Sequence, residues 1–228
     1  MGGLNAVWRM ALLAAVLSAS ASAAVPGTER ETRRIQDAPR TLVIDAGHGG
    51  ADGGAVSESG LRESEVNLDV ALRLYYLVAF LGERAVLTRD GEDIRYSPDA
   101  VTIRDKKRDD MKSRLRVLHA AENPVLVSVH QNKYDSPRPS GAQVIYAPDD
   151  ASRLLGETMQ NALTDALGRG NRQGAARDDG GIYLLNNAGC PAILIECGFL
   201  SNPEEEALLH TEGYRIKLAA AISAGLRR

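Results

Sequence analysis

The chain has 228 residues, 44% of them hydrophobic, a formal charge of −3 and a pI near 5.9. That length and apolar content suit one domain with a continuous buried core. The acidic balance argues against a nucleic-acid-binding protein, whose partner calls for a basic excess.

The N-terminus has its own character. Arg9 precedes an apolar run, Met10 to Leu17, and Ser/Ala-rich sequence then ends in Ala21-Ser22-Ala23. A positive start, a short apolar stretch and a small-x-small site form the pattern of a secretory signal, so residues 1–23 read as a signal peptide. The apolar stretch falls short of the roughly 20 residues a spanning helix needs, which disfavours a retained membrane anchor. Cleavage would remove Arg9 and Trp8, the only tryptophan. Residues 24–39 are polar, of mixed charge and bounded by proline, the composition of a flexible linker. Residues 40–228 then form the folded domain.

From Thr41 short apolar runs alternate with helical periodicity. A strand is predicted over 41–45. A helix over 63–81 follows, with Val66, Val70, Leu74 and Leu77 on one face. Next come a strand at 85–88 and a charged helix over 104–121, whose Lys106–Asp110 cluster reads as a solvated face. Strands are expected at 125–129, 142–146, 182–185 and 192–196. A helix capped by Asp149 or Asp150 runs to Leu167 and stops at Gly168. Ser201-Asn202-Pro203-Glu204 is a helix-capping sequence with proline in the first turn, and the last helix covers 213–226. Strands separated by helices predict a three-layer αβα domain with a mostly parallel, twisted sheet.

Three of the apolar runs stop at a residue able to bind metal or move a proton. They are Thr41–His48, Val125–His130 and Ala192–Glu196. In an open parallel sheet, ligands bind beyond the carboxyl ends of the strands, so two imidazoles and a carboxylate delivered to one rim suggest a metal hydrolase. Five glycines surround His48, permitting a tight turn past a strand end. A phosphate loop would need a Lys-Ser/Thr pair after the glycines and a helix starting there, and both are missing. Glu63 opens a helix, where a glutamate often serves only the dipole. Glu196 closes a run too apolar for an isolated carboxylate, an environment that raises a carboxyl pKa and makes a proton-transfer group. Cys190 and Cys197 flank an extended run of roughly 20 Å, beyond the 7 Å or so of a disulfide, and read as buried small hydrophobes.

The pattern resembles a known family. Val43-Ile-Asp-x-Gly-His48-Gly-Gly, Gly60-Leu-x-Glu63, Asn67-Leu68, Ser128-Val-His130-x-Asn132 and Ile195-Glu196-x-Gly198-Phe-Leu-Ser-Asn-Pro-x-Glu205 are similar, in order and spacing, to the zinc-dependent N-acetylmuramoyl-L-alanine amidases of the third amidase type. Ala46 stands where that family usually has proline. The resemblance implies one Zn2+ held by His48, Glu63 and His130, with Glu196 as the catalytic carboxylate. It implies cleavage of the amide between the lactyl group of N-acetylmuramic acid and L-alanine in peptidoglycan. Gly141-Ala-Gln143 and Ile182-Tyr-Leu-Leu185 resemble the sporulation-type, germination-related CwlD branch, which implies formation of muramic δ-lactam in spore cortex. General wall remodelling shares the same core, and a non-catalytic peptidoglycan-binding module with this fold is the rival from another class. Asn132 is a candidate oxyanion donor or a turn residue. Arg172 and Arg177 are candidates to dock the carboxylates of the stem peptides. The remaining expectations are export to the cell wall or the intermembrane space of a forespore, no stable membrane span after cleavage, a monomer, and an unidentified accessory protein as a possible partner.

Overall fold

The computed structural model describes residues 39–168 and 174–228. The predicted signal and all of the linker except Pro39 lie outside the described residues. Pro39–Arg228 form one compact unit. Six strands are present: β1 (Thr41–Ala46), β2 (Arg84–Leu87), β3 (Pro124–Asn132), β4 (Gln143–Tyr146), β5 (Ala176–Arg177) and β6 (Ala192–Phe199). The helices are α1 (Glu63–Phe80), α2 (Ile103–Ala120), α3 (Asp150–Leu167), α4 (Tyr183–Asn186), α5 (Pro203–Leu209) and α6 (Glu212–Gly225). Among the described residues no helix is long and apolar enough to cross a membrane.

The sheet order is β2-β1-β3-β6-β4-β5. β2, β1, β3 and β6 run parallel, while β4 is antiparallel to β6 and carries β5 parallel to itself. The long apolar runs occupy the middle of the sheet because both of its faces are covered there. On one face Leu42, Ile44, Val127, Val129, Ile193 and Ile195 form a core with Val66, Val70 and Leu74 of α1, Met159 and Leu163 of α3, and Leu218 and Ile222 of α6. On the other, Val43, Leu126 and Leu194 meet Leu118 of α2 and Leu184 and Leu185 of α4. The three-layer arrangement expected from the sequence is therefore present.

Capping follows the sequence closely. Asp149 accepts from the Ser152 amide, Gly168 ends α3 in the left-handed region at φ 58°, and Asn202 caps α5 with Pro203 in its first turn. Residues 182–185 depart from expectation. They lead into a single helical turn rather than a strand. Asp178 accepts from the amides of Gly180, Gly181 and Ile182 and from the Asn186 side chain, which curls the segment back. Leu184 and Leu185 thereby bury against α2 instead of joining a ladder.

Candidate functional site

Side chains alternate across a strand, so the register decides which residues share a face. Val43, Leu126 and Leu194 lie on the α2 side. Two and four residues further on, the same alternation sends Asp45, Ser128, His130 and Glu196 to that side, at the carboxyl ends. His130 and Glu196 are register partners on neighbouring strands, as are Asp45 and Ser128. Ser128 Oγ donates to Asp45 Oδ2 at 2.5 Å. With residues 181–185 and Lys107, Asp110, Met111 and Arg114 of α2, these residues line a cleft of about 370 Å³.

The glycine turn after β1 brings His48 back over the strand ends. His48 has φ 59°, unusual for a residue with a side chain. Gly47 is needed for closeness: a Cβ there would run into the His130 ring. Gly54, at φ 67°, leaves room for both His48 and the Glu63 carboxylate.

Three ligand-type side chains then meet. Atoms of His48, Glu63 and His130 lie within 4.8 Å of one another. Glu63 Oε1 is 3.3 Å from His48 Nε2 and 3.0 Å from His130 Nδ1. Glu63 is buried at the first position of α1 and is held on several sides. Oε1 accepts from the Gln131 amide at 3.1 Å and from Asn67 Nδ2 at 3.3 Å, and Oε2 accepts from the Ala55 amide at 2.9 Å. Burial opposes its charge, but the hydrogen bonds from His130 and His48 outweigh that and hold the carboxyl far below the ordinary carboxylate range. His48 shifts the other way. Burial disfavours its protonation, yet Glu63 and Asp52 together raise its pKa above 6.5.

Several residues that serve this site escape a reading of the sequence. Arg114 is buried. It donates to Asp45 Oδ1, the Ala46 carbonyl and the His48 carbonyl at 2.6 Å, and to Asp110 Oδ2 at 2.9 Å. Arg89 donates to the carbonyls of Ala46, Gly47 and Ser64. Two guanidinium groups thus clamp the backbone that carries His48. Burial would push the Asp45 carboxyl up, but Arg114, Ser128 and Thr88 bring it down to about 2. Asp52 Oδ2 sits 3.0 Å from His48 Nδ1 and 3.0 Å from Lys107 Nζ. The Lys106–Asp110 cluster is therefore only partly a solvated face, since Asp110 is buried against Arg114 and Lys107 reaches the cleft. The one available signal was a four-residue spacing: Asp110 and Arg114 share a helix face, as do Lys107 and Met111.

Of the candidate substrate contacts, Asn132 and Arg177 do not line this cleft. The Asn132 side chain accepts from the Lys133 amide, the arrangement of a turn residue. Arg177 is exposed on the edge strand β5, and Arg172 lies outside the described residues. His119 bonds the Asn187 carbonyl, and His210 bonds Ser59 on the far side of the turn. Cys190 and Cys197 are both free. Cys197 is buried, and burial pushes its thiol up to about 12, whereas Cys190 is only half-buried.

The donor set fits zinc. Two imidazole nitrogens and a carboxylate oxygen are ligands zinc accepts, and donors about 2.0 Å from a tetrahedral ion stand roughly 3.3 Å apart. The 3.0 and 3.3 Å separations match this. His48 also has its second nitrogen on a carboxylate, the usual support of a metal-bound histidine.

The chain is similar to known proteins over nearly all of this unit. The sequence pattern of the N-acetylmuramoyl-L-alanine amidase family matches residues 42–228. A germination-specific N-acetylmuramoyl-L-alanine amidase of Bacillus subtilis is 34% identical over 192 residues, 83% of this chain and 79% of that protein. The CwlD amidase of Clostridioides difficile, solved in complex with the GerS lipoprotein, superposes with a TM-score of 0.77 at 34% identity, over 82% of this chain and 96% of that one. The catalytic domain of CwlV, an amidase from Bacillus (Paenibacillus) polymyxa, gives 0.70 at 30% identity over 82% and 96%. The chain belongs to the N-acetylmuramoyl-L-alanine amidase family and is an amidase of peptidoglycan.

Proposed function

We propose that the chain is a zinc amidase that separates the stem peptide from N-acetylmuramic acid in spore cortex. His48, Glu63 and His130 hold the ion. The observation that carries this reading is the convergence of those three residues within 4.8 Å, on a rim where His130 stands in register with Glu196. When bound, zinc supplies Lewis-acid polarisation of the scissile carbonyl and acidifies water. Glu196 takes the proton from the attacking water and returns it to the departing alanine nitrogen. Asn67 orients Glu63 while bonding the Gly47 carbonyl. Asp52 fixes the His48 ring so that its other nitrogen faces the ion. Across the cleft, Met111, Ile182, Leu185 and Leu194 offer an apolar wall suited to the lactyl and alanine methyl groups.

The sporulation role rests on likeness to the germination-specific relative and to the CwlD amidase. Export through the 1–23 signal fits a wall substrate, and the chain acts as a monomeric catalyst. By analogy with the neighbour solved with a lipoprotein, an accessory protein is a fitting partner.

The test is mass spectrometry of purified peptidoglycan after incubation with the zinc-loaded protein. Free peptides beginning with L-alanine, intact glycan strands and loss of both signals with EDTA are expected. Peptides cut internally, or products that ignore EDTA, would contradict the assignment. For the spore role, cortex from a strain lacking the protein should contain no muramic δ-lactam.

A further inference from the structure

Helix α2 separates two concave surfaces. Lys107, Asp110, Met111 and Arg114 face the catalytic cleft, whereas Asp109, Lys112, Leu115 and Arg116 face a groove of about 730 Å³ on the other side. Arg95 and Tyr96 form the opposite bank of that groove. Arg95, Lys112 and Arg116 have no ion-pair partner among the described residues. The Asp109 carboxylate is engaged by the Ser97 amide at 2.7 Å. Three cations against one carboxylate leave the hollow positive, which runs against the net charge of the chain, −3. The groove also adjoins the catalytic turn: the Tyr96 hydroxyl accepts from the Ala51 amide at 2.8 Å, one residue before Asp52. The two concavities stand about one helix diameter apart, on the order of 10–12 Å.

We infer that this groove is a second substrate subsite, in which Arg95, Lys112 and Arg116 bind the carboxylates of a stem peptide neighbouring the one being cleaved. This rests on the amidase reading above, since that substrate is a polymer with peptide carboxylates at regular intervals. A guanidinium pair and an ammonium group on separate walls suit several carboxylates better than one small anion. Leu115 and the Tyr96 ring give apolar surface for the methyl groups of alanine between them. Binding one peptide in the groove would hold the next over the zinc ligands and keep the enzyme on the strand between cuts.

The experiment measures binding of zinc-loaded Glu196→Gln protein to purified sacculi stripped of phosphate polymers. Three forms are compared: this parent, the parent with Arg95→Glu, Lys112→Glu and Arg116→Glu, and a charge-matched control with Arg84→Glu, Arg153→Glu and Arg228→Glu at exposed positions elsewhere. Circular dichroism and zinc content establish that all three are folded and loaded. The groove variant should bind roughly tenfold more weakly, and the control should stay within about twofold of the parent. Converting the carboxylates of the sacculi to amides should bring the parent down to the level of the groove variant. Equal binding by parent and groove variant overturns the subsite, as does an equal loss in the control. A difference that survives amidation overturns the assignment of the ligand. Failure of the wild-type protein to release peptides from the same sacculi would instead sink the amidase reading beneath it.

Discussion

Two buried charged clusters lie side by side at the end of β1, and they differ in what completes them. Around Arg114 the account is closed within the chain: one guanidinium meets Asp45, Asp110 and two backbone carbonyls. Around Glu63 one carboxylate faces two imidazoles that approach the same oxygen. The first cluster is a scaffold that fixes backbone. The second gathers donors around a common point, as a site that a divalent cation would complete. Breaking the first should cost stability, and breaking the second should cost metal and turnover with little loss of fold.

The largest effects belong to the second cluster. Glu196→Gln should lower peptide release by about 10²–10⁴-fold while zinc content stays near one per chain, as expected for loss of an acid–base group. His130→Ala should abolish both. Next comes the scaffold. Arg114→Met leaves Asp45 and Asp110 buried without their cation and should destabilise the protein by about 3–5 kcal/mol in chemical denaturation. Preserved stability in that variant would erase the distinction between the clusters.

Asp52→Ala sharpens the comparison, because Asp52 touches a ligand but not the scaffold. Zinc affinity, read by competition with a chromophoric chelator, should fall about 10–100-fold while the unfolding midpoint of the metal-free protein holds. Acid should also separate the clusters. Metal binding needs His48 neutral, and its raised pKa means that protons compete with zinc at higher pH than for an ordinary imidazole, so activity should fall as pH drops from neutral. The scaffold lasts to lower pH. Asp45 has its pKa depressed to about 2, so its contribution, about 2 kcal/mol, is present above pH 4 and is lost only as pH falls toward 2. The smallest effect is at Arg177. On an exposed edge strand away from the cleft, Arg177→Ala should change turnover less than twofold.

The long central strands and the residues at their ends, His130 and Glu196, were legible because both follow from local pattern, whereas Glu63 entered only through the family resemblance. A β-branched run ending in His130 or Glu196 states its own element and its own end, and parallel register then brings the ends together. The clamp was not legible. Nothing near Arg114 indicates that its main partner, Asp45, lies 69 positions earlier. A charged helix also looks the same in sequence whether its residues point to water or into a cleft, which hid Lys107 and Asp110. Residues 182–185 misled for the converse reason. They are apolar enough for a strand, but Asp178 captures the amides of Gly180, Gly181 and Ile182 and turns the chain before a ladder can form. Asn132 drew attention by standing two positions past His130, yet the register shifts between those two residues and its Oδ1 accepts from the Lys133 amide.

The most direct measurement is the zinc stoichiometry and affinity of wild-type, Glu196→Gln and His130→Ala proteins, taken together under the same conditions. One tightly held ion is expected in the first two and none in the third. Full zinc binding by His130→Ala, or no zinc in an active wild-type protein, would contradict the metal assignment.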